Sequence, residues 1–293
     1  MRIIFIGAVE FSLRALAKLI ELNAEVVGVC TLKESKFNSD HVDLNDFSEA
    51  HGIPSLYVDD INSNETLRWI SDKSPDVVFC FGWSRLIKQS LLELAPLGVI
   101  GFHPAALPAN RGRHPIIWTL VLGLEKTAST FFFMNSGADS GDILSQKEIF
   151  ITHEDDARTL YDKVVNVALL QIAEFLPQLS TSSFQRIKQN ELDSNVWRKR
   201  GIADGKIDWR MSAQTINNLV RGLAHPYEGA HFLFDGKEIK VWRSAISNDI
   251  ANNIEPGKVL RQDNSGLVVK CGEGAISLLV TEPEFKIKVG TYL

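Results

Sequence analysis

The segment Gly101-Phe102-His103-Pro104-Ala105-Ala106-Leu107-Pro108-Ala109-Asn110-Arg111-Gly112-Arg113-His114-Pro115 gathers two imidazoles and two guanidinium groups in one short run. His103 has the chemistry to hold or move a proton near neutral pH. Arg111 and Arg113 carry planar, permanently charged forks of the kind that grip a phosphate through paired hydrogen bonds. Downstream, Gly137-Ala138-Asp139-Ser140-Gly141-Asp142 adds two carboxylates in a turn-rich stretch. A histidine and an aspartate brought together at neighbouring strand ends would form a proton-transfer pair. Plainer readings stand beside these: His103 as a satisfied loop histidine, Asp139 as a turn residue before Ser-Gly, Arg111 and Arg113 as surface charges, and Asp142 as a structural group.

The elements around these groups read as alternating strands and helices. Arg2 to Ile6 and Val26 to Cys30 are apolar strands, with Phe11, Leu13, Leu16, Leu19, Ile20 and Leu22 at helical spacing between them. The polar stretch from Lys33 to Asn45 reads as a mobile loop. Asp46 to Ala50 and Glu65 to Ser71 read as helices, with a short strand ending at Tyr57 between them. Val77 to Phe81 is a strongly buried strand, Lys88 to Leu94 a short helix, and Val99-Ile100 the entry to the histidine segment. Three prolines and two glycines exclude a helix or a central strand over that segment itself. Arg113 to Gly123 reads as a helix and Thr130 to Met134 as a strand. Thr152-His153-Glu154-Asp155 has the spacing of a capping box before a helix carrying Leu160, Val164, Val167, Leu170 and Leu176. This alternation predicts an α/β fold with a Rossmann-like, doubly wound, mostly parallel sheet over residues 1–182.

The pattern then changes. A polar linker is expected over 183–204. Short strands follow within 205–293: His231 to Phe234, Glu238 to Trp242, Gly257 to Leu260, Leu267 to Cys271 and Ala275 to Val280. Asp235-Gly236 between two of them is a hairpin signal. They predict a small C-terminal β-barrel domain of OB-like type.

Composition narrows the classes. The chain has 293 residues, 45% hydrophobic and 23% charged, which is ordinary for a globular protein. No apolar run approaches the ~20 residues needed to cross a bilayer, so no membrane partner is expected. The start, Met1 to Gly7, reads as a strand and not as a targeting segment. Cys30, Cys80 and Cys271 lack zinc spacing and suit a reducing cytoplasm; Cys80 reads as a buried thiol. No metal is expected. A net charge of −5 disfavours a general nucleic-acid surface.

In order, Gly101-Phe102-His103-Pro104-Ala105-Ala106-Leu107-Pro108, Arg111-Gly112, Thr130 and Asp139-Ser140-Gly141 resemble the formyltransferases that use 10-formyltetrahydrofolate. Gly205-Lys206-Ile207-Asp208-Trp209, Arg221, Pro226, Gly229-Ala230, Gly257-Lys258-Val259 and Cys271-Gly272-Glu273-Gly274 are similar to the family's C-terminal domain. The resemblance covers nearly the whole chain. It implies that His103 and Asp139 are catalytic, and that 10-formyltetrahydrofolate is the cosubstrate. Phe81, Gly82, Trp83, Leu86 and Ile87, with Asp142, would bind it, largely through backbone. It also places Gly101, Asn110, Arg111, Arg113 and Thr130 on the substrate. The family's catalytic asparagine falls on Gly101, so one oxyanion donor is missing; Asn110, Asn135, a backbone N–H or a water would replace it.

Two acceptors fit the resemblance. A tRNA binder should cluster Lys and Arg in the loop after the second strand, but the 33–43 run is charge-balanced and Arg198-Lys199-Arg200 is a short patch. The reading favoured is therefore an amino-sugar N-formyltransferase acting on a nucleotide-linked sugar for surface polysaccharide or lipopolysaccharide, with a homodimer implied. Alternatives are a methionyl-tRNA formyltransferase and a non-catalytic folate or nucleotide-sugar binder. A formyltetrahydrofolate hydrolase fits less well, because that family carries an N-terminal regulatory domain for which no room is expected before Met1.

Overall fold

The computed structural model describes residues 1–35, 39–248, 253–263 and 266–293. Lys36, Phe37 and Asn38, in the middle of the expected mobile loop, lie outside the described residues. In chain order the elements are β1 (Arg2–Ile6), α1 (Glu10–Glu21), β2 (Glu25–Thr31), α2 (Asn45–Ala50), β3 (Ser55–Tyr57), α3 (Asn64–Ser71), β4 (Val77–Cys80), α4 (Gln89–Leu92), β5 (Val99–His103), β6 (Arg111–Gly112) and α5 (Pro115–Val121). There follow β7 (Lys126–Phe133), β8 (Ile143–Phe150), α6 (Ala157–Ser180), β9 (Val196–Trp197), α7 (Ala213–Gly222), β10 (Ala230–Phe234), β11 (Lys237–Ser247), β12 (Val259–Asp263), β13 (Gly266–Lys270) and β14 (Ala275–Glu282). They form two compact units. The first holds Met1–Gly112, Thr127–Ile149 and Asp162–Trp197; the second holds Arg113–Lys126, Phe150–Tyr161 and Arg198–Leu293.

The first unit is built on a seven-stranded sheet of order β3-β2-β1-β4-β5-β7-β8. The strands from β3 through β5 pair in parallel, while β7 runs antiparallel to β5. The inner strands β1 and β4 are continuous apolar runs because both faces are covered. One face carries Phe5, Phe79, Phe81 and Phe131 in edge and stacked contacts, closed by Phe175 of α6 and Phe11 of α1. The other packs Ile4, Ile6, Cys30, Val78, Cys80 and Val99, with Trp83 and Met134 against them. Strand order reverses between β1 and β4, and their carboxyl ends are the place where such sheets open a ligand crevice. Ser12 ties these two ends together: its hydroxyl donates to Phe81 O at 2.6 Å and accepts from the N–H groups of Ala8 and Val9, each at 3.2 Å.

Three details differ from the sequence reading. The strand β5 runs through His103, so Gly101 to His103 lie in the middle of the sheet and only the residues after them form loop. A whole strand, β8, was not anticipated. Its burial follows no clean alternation, since it is the edge of the sheet and leaves Phe150 71% exposed. In α6 the buried stripe is Leu160, Val164, Ala168, Ile172, Phe175 and Leu179, and Leu170 points out at 61% exposure. The expected capping box is displaced: Asp155 accepts from the N–H and hydroxyl of Thr152 at 2.7 and 3.1 Å in a turn ahead of the helix, and Asp156 caps α6, its Oδ1 accepting from the Thr159 N–H at 2.9 Å while its own N–H donates to the Thr159 hydroxyl at 2.9 Å.

The second unit centres on an antiparallel sheet of order β10-β11-β14-β13-β12, the all-β element expected of this region. Trp209, Phe232, Val241, Val269 and Ile276 form its core with Ile216 and Leu219 of α7 and Ile117 of α5. Arg221 of α7 donates to the carbonyls of Thr152 and Asp155 at 3.0 and 3.1 Å. No helix among the described residues is long and apolar enough to cross a membrane.

All three cysteines are free and buried. Burial pushes the Cys30 and Cys80 thiols up to about 12 and the Cys271 thiol up to about 11. Nearly no thiolate exists at neutral pH, so a thiol reagent at pH 7.5 should leave the native chain unlabelled and modify every cysteine only after denaturation. Rapid labelling of Cys80 in the native protein would show that the core around β4 opens.

Candidate active site

His103 closes β5, opposite Thr130 of β7, and its ring is buried. Its Nε2 stands 2.8 Å from the carbonyl oxygen of Asn110. A carbonyl oxygen only accepts, so Nε2 carries the hydrogen. In the neutral ring the lone pair is therefore on Nδ1. That atom faces Asp139 Oδ2 at 3.7 Å. A proton arriving on Nδ1 would make an imidazolium next to a carboxylate, which stabilises it.

Asp139 sits in a left-handed backbone conformation (φ 52°), in the turn between β7 and β8. Gly141 lets this turn press onto β7, since a Cβ there would lie 1.6 Å from Phe133 O. The Asp139 carboxylate is fixed by the Gly112 N–H, which donates to Oδ2 at 2.9 Å. The loop after His103 and the Asp139 turn are thus joined directly.

The stretch expected as a linker supplies a strap beneath both loops. Gln189 donates from Nε2 to the carbonyls of Asp139 and Gly141 at 2.8 and 2.7 Å. Its Oε1 accepts from Arg111 Nε and Nη2 at 3.1 and 2.8 Å. Arg111 also forks onto Glu191 at 2.8 and 2.9 Å. Asn195 Oδ1 accepts from the N–H of Asn110 at 2.7 Å, and β6 pairs with β9. Gln189, Glu191 and Asn195 gave no signal in the sequence, because isolated polar residues with partners 48 or more positions away leave no local pattern.

The expected substrate residues divide sharply. Arg111 is corrected: it is 5% exposed and spends its fork on Gln189 and Glu191, so it holds the strap and is not an open phosphate grip. Thr130 is also corrected. Its hydroxyl donates to Ala105 O at 2.7 Å and accepts from Gln146 at 2.9 Å, so it braces the loop after His103. Gly101 shares the His103 face of β5. A Cβ on Gly101 would lie 2.8 Å from Met134 Cγ and 3.1 Å from its sulfur, so Met134 occupies the space a side chain at 101 would take. Of the amide candidates, Asn135 Oδ1 is taken by Gly137 N–H and Ser140 Oγ. The Asn110 carboxamide makes no hydrogen bond among the described residues. Arg113 is exposed and lies in the second unit.

The cosubstrate residues divide as well. Phe81 is corrected. Its ring is wholly buried among other phenylalanines, its N–H is bonded to Ile6 O, and its carbonyl to Ser12. Ile87 is 4% exposed and packs in the core. Gly82 (φ 72°) turns the chain away from β4, and a Cβ there would lie 2.2 Å from Val9 Cγ2. Trp83 carries a buried indole N–H without an acceptor among the described residues. Leu86 is 73% exposed. The Asp142 carbonyl accepts from Phe133 N–H at 2.8 Å, while its carboxylate makes no hydrogen bond among the described residues.

Comparison with known proteins decides the family. The family model described as formyl transferase matches residues 1–173, and that of the formyl transferase C-terminal domain matches 202–291. The chain belongs to the formyltransferase family. The methionyl-tRNA formyltransferase of Caldanaerobacter subterraneus subsp. tengcongensis is 30% identical over 99% of this chain and 94% of its own length. Among solved structures, WlaRD, a sugar 3N-formyltransferase determined with dTDP and 5-N-formyl-THF, superposes with a TM-score of 0.75 at 17% identity, over 97% of this formyltransferase and 99% of that chain. An N-formyltransferase from Helicobacter canadensis, in complex with folinic acid and dTDP-3-aminofucose, gives 0.73 at 16% identity over 94% and 98%. At those identities the likeness is one of fold.

If the strap positions the His103 loop and the Asp139 turn, Gln189→Glu should keep the Arg111 partner while losing both donors to that turn. The expected result is at least a tenfold fall in kcat with little change in KM or Tm, against an added loss of about 1–3 kcal/mol of stability for Gln189→Ala. Equal falls in stability for both variants would mean a purely structural role. Gly101→Asn should cost about 1–3 kcal/mol in a urea titration through overpacking. Adding Met134→Ala should relieve most of that loss, and simple additivity would contradict the contact.

Proposed function

We propose that this formyltransferase moves the formyl group of 10-formyltetrahydrofolate to the amine of a nucleotide-linked amino sugar. The observation that carries the reading is the His103 ring, with Nε2 hydrogen-bonded to Asn110 O and Nδ1 turned to Asp139. Formyl transfer to an amine forms a C–N bond as the bond from the formyl carbon to the folate nitrogen breaks. The amine gives up one proton and the folate nitrogen takes one. Nδ1 of His103 is the group suited to take the amine proton and pass it on, with Asp139 favouring the charged ring.

The formyl donor, when bound, supplies the electrophilic carbon and a leaving nitrogen. To hold it, the expected cosubstrate residues offer the orphaned Trp83 N–H, the exposed Leu86 and the Asp142 carboxylate, which makes no hydrogen bond among the described residues. Charge developing on the formyl oxygen needs a donor, and the Asn110 carboxamide is the one we assign.

For the acceptor, the charge balance of the chain supports a sugar and not a polyanion. The identity to methionyl-tRNA formyltransferases over the full length favours the tRNA reading, and the test must include it. Pure protein is incubated with 10-formyltetrahydrofolate and UDP-, GDP- and dTDP-linked amino-deoxy sugars, or with charged initiator tRNA, and products are read by mass. Gain of one formyl group on one sugar is expected. Transfer to the tRNA alone would replace the reading. Binding without transfer to any acceptor would leave a folate or nucleotide-sugar binding protein.

His103→Ala should lower kcat by about 10²–10⁴-fold. Asn110 has φ 66°, so Asn110→Gly keeps its backbone and tests the amide alone. It should lower kcat by about 10²–10³-fold. Full activity in Asn110→Gly would assign the oxyanion donor elsewhere.

A further inference from the structure

Gly101 is buried, although it stands two residues before His103 on the same face of β5. Two residues along a strand separate their Cα positions by about 7 Å. What covers Gly101 is Met134, the residue that follows β7. The Met134 N–H donates to Val99 O at 2.7 Å, which fixes its backbone beside the end of β5. A Cβ on Gly101 would lie 2.8 Å from Met134 Cγ, 3.1 Å from its sulfur and 3.1 Å from Phe132 Cζ.

Met134 also joins two apolar clusters. It packs against the one that holds Cys80 and Val99, and against the smaller one of Leu107, Phe132 and Ile143. The long, flexible thioether is suited to filling such an irregular gap. Met134 is itself only half-buried, which makes it the boundary between Gly101 and solvent.

The chemistry gives this boundary a purpose. A formyl carbon made open to attack by an amine is equally open to attack by water, which is far more abundant. A water needs only about 10–15 Å³ of accessible space and a few polar partners. The bare Nδ1 of His103 and the Asp139 carboxylate are acceptors at that end of β5. Space is what is lacking, and Met134 is what fills it.

We propose that Met134 is a specificity-determining residue that keeps water from the space over Gly101, so that the formyl group passes to an amine and not to water. The reaction it suppresses is hydrolysis of the donor. There the water oxygen bonds to the formyl carbon as the bond to the folate nitrogen breaks. One water proton is taken by Nδ1 of His103 and ends on the folate nitrogen; the other is lost as the formic acid ionises. The proposal rests on the formyl-donor reading above and not on the choice of acceptor.

The test is formate release from 10-formyltetrahydrofolate by the full chain, with no acceptor present. Met134→Ala should release formate about tenfold faster than the unaltered protein. Met134→Leu restores an apolar chain of similar volume and should reverse most of that rise. Adding Gly101→Ala to Met134→Ala returns a carbon to the same space from the neighbouring strand, and should lower the rate again. Adding His103→Ala should abolish the gain, since the water uses the same base. Circular dichroism checks that each variant is folded. If Met134→Ala does not fold, Met134→Val, which opens less space, should still exceed the unaltered protein. No rise in a folded variant would overturn the proposal. So would a rise that neither Met134→Leu nor the added Gly101→Ala reverses, or one that survives the loss of His103. Failure to formylate any sugar leaves this test untouched. Transfer to an amine by the unaltered protein, with formate release unmoved in the variants, would overturn the role of Met134 alone.

Discussion

The hydrogen bond from His103 Nε2 to Asn110 O is the constraint on which the rest of the site depends. It fixes the tautomer, and so decides which nitrogen is free to take a proton. It also joins the end of a central strand to a loop that has no regular structure of its own. That loop keeps its shape because Thr130 and Gln146 hold the carbonyls of Ala105 and Leu107 on one side. Asn195 and Arg111 hold it on the other. The Asp139 carboxylate is tied to the same loop through Gly112 N–H. Histidine, carboxylate and loop therefore move as one body or not at all, which is the preorganisation that proton transfer requires.

The buried Arg111 shows how the strap is energetically tolerable. Arg111 is 5% exposed, and taking a guanidinium that far from water is costly. Glu191 and Gln189 offset the cost with four hydrogen bonds from the fork. The pairing holds the Arg111 proton more tightly and the Glu191 carboxyl below its usual range. A charge spent this way cannot also hold a substrate.

The sheet and the His103–Asp139 pair were legible in the sequence because both rest on local signals: unbroken apolar runs for β1 and β4, and turn residues at the strand ends. The antiparallel turn of β7 was not, since strand direction depends on where the chain packs and not on its periodicity. Phase errors had the same origin. Leu170 fits an apolar stripe read one residue out of register, and β8 carries too many polar residues for an edge strand to be noticed. The strap was invisible for a different reason. Gln189 and Arg111 are seventy-eight positions apart, and nothing in either neighbourhood announces the other. The filling of the space beside Gly101 by Met134 is likewise a contact across the sheet that no linear spacing encodes.

The most direct test of this account is the protonation of the His103 ring, read by long-range nitrogen–proton NMR correlation on the resting protein at a pH where the ring is neutral. The account predicts hydrogen on Nε2 and a bare Nδ1 facing Asp139. Hydrogen on Nδ1 would break the link to Asn110, reverse the direction of proton transfer, and contradict the assignment of the base.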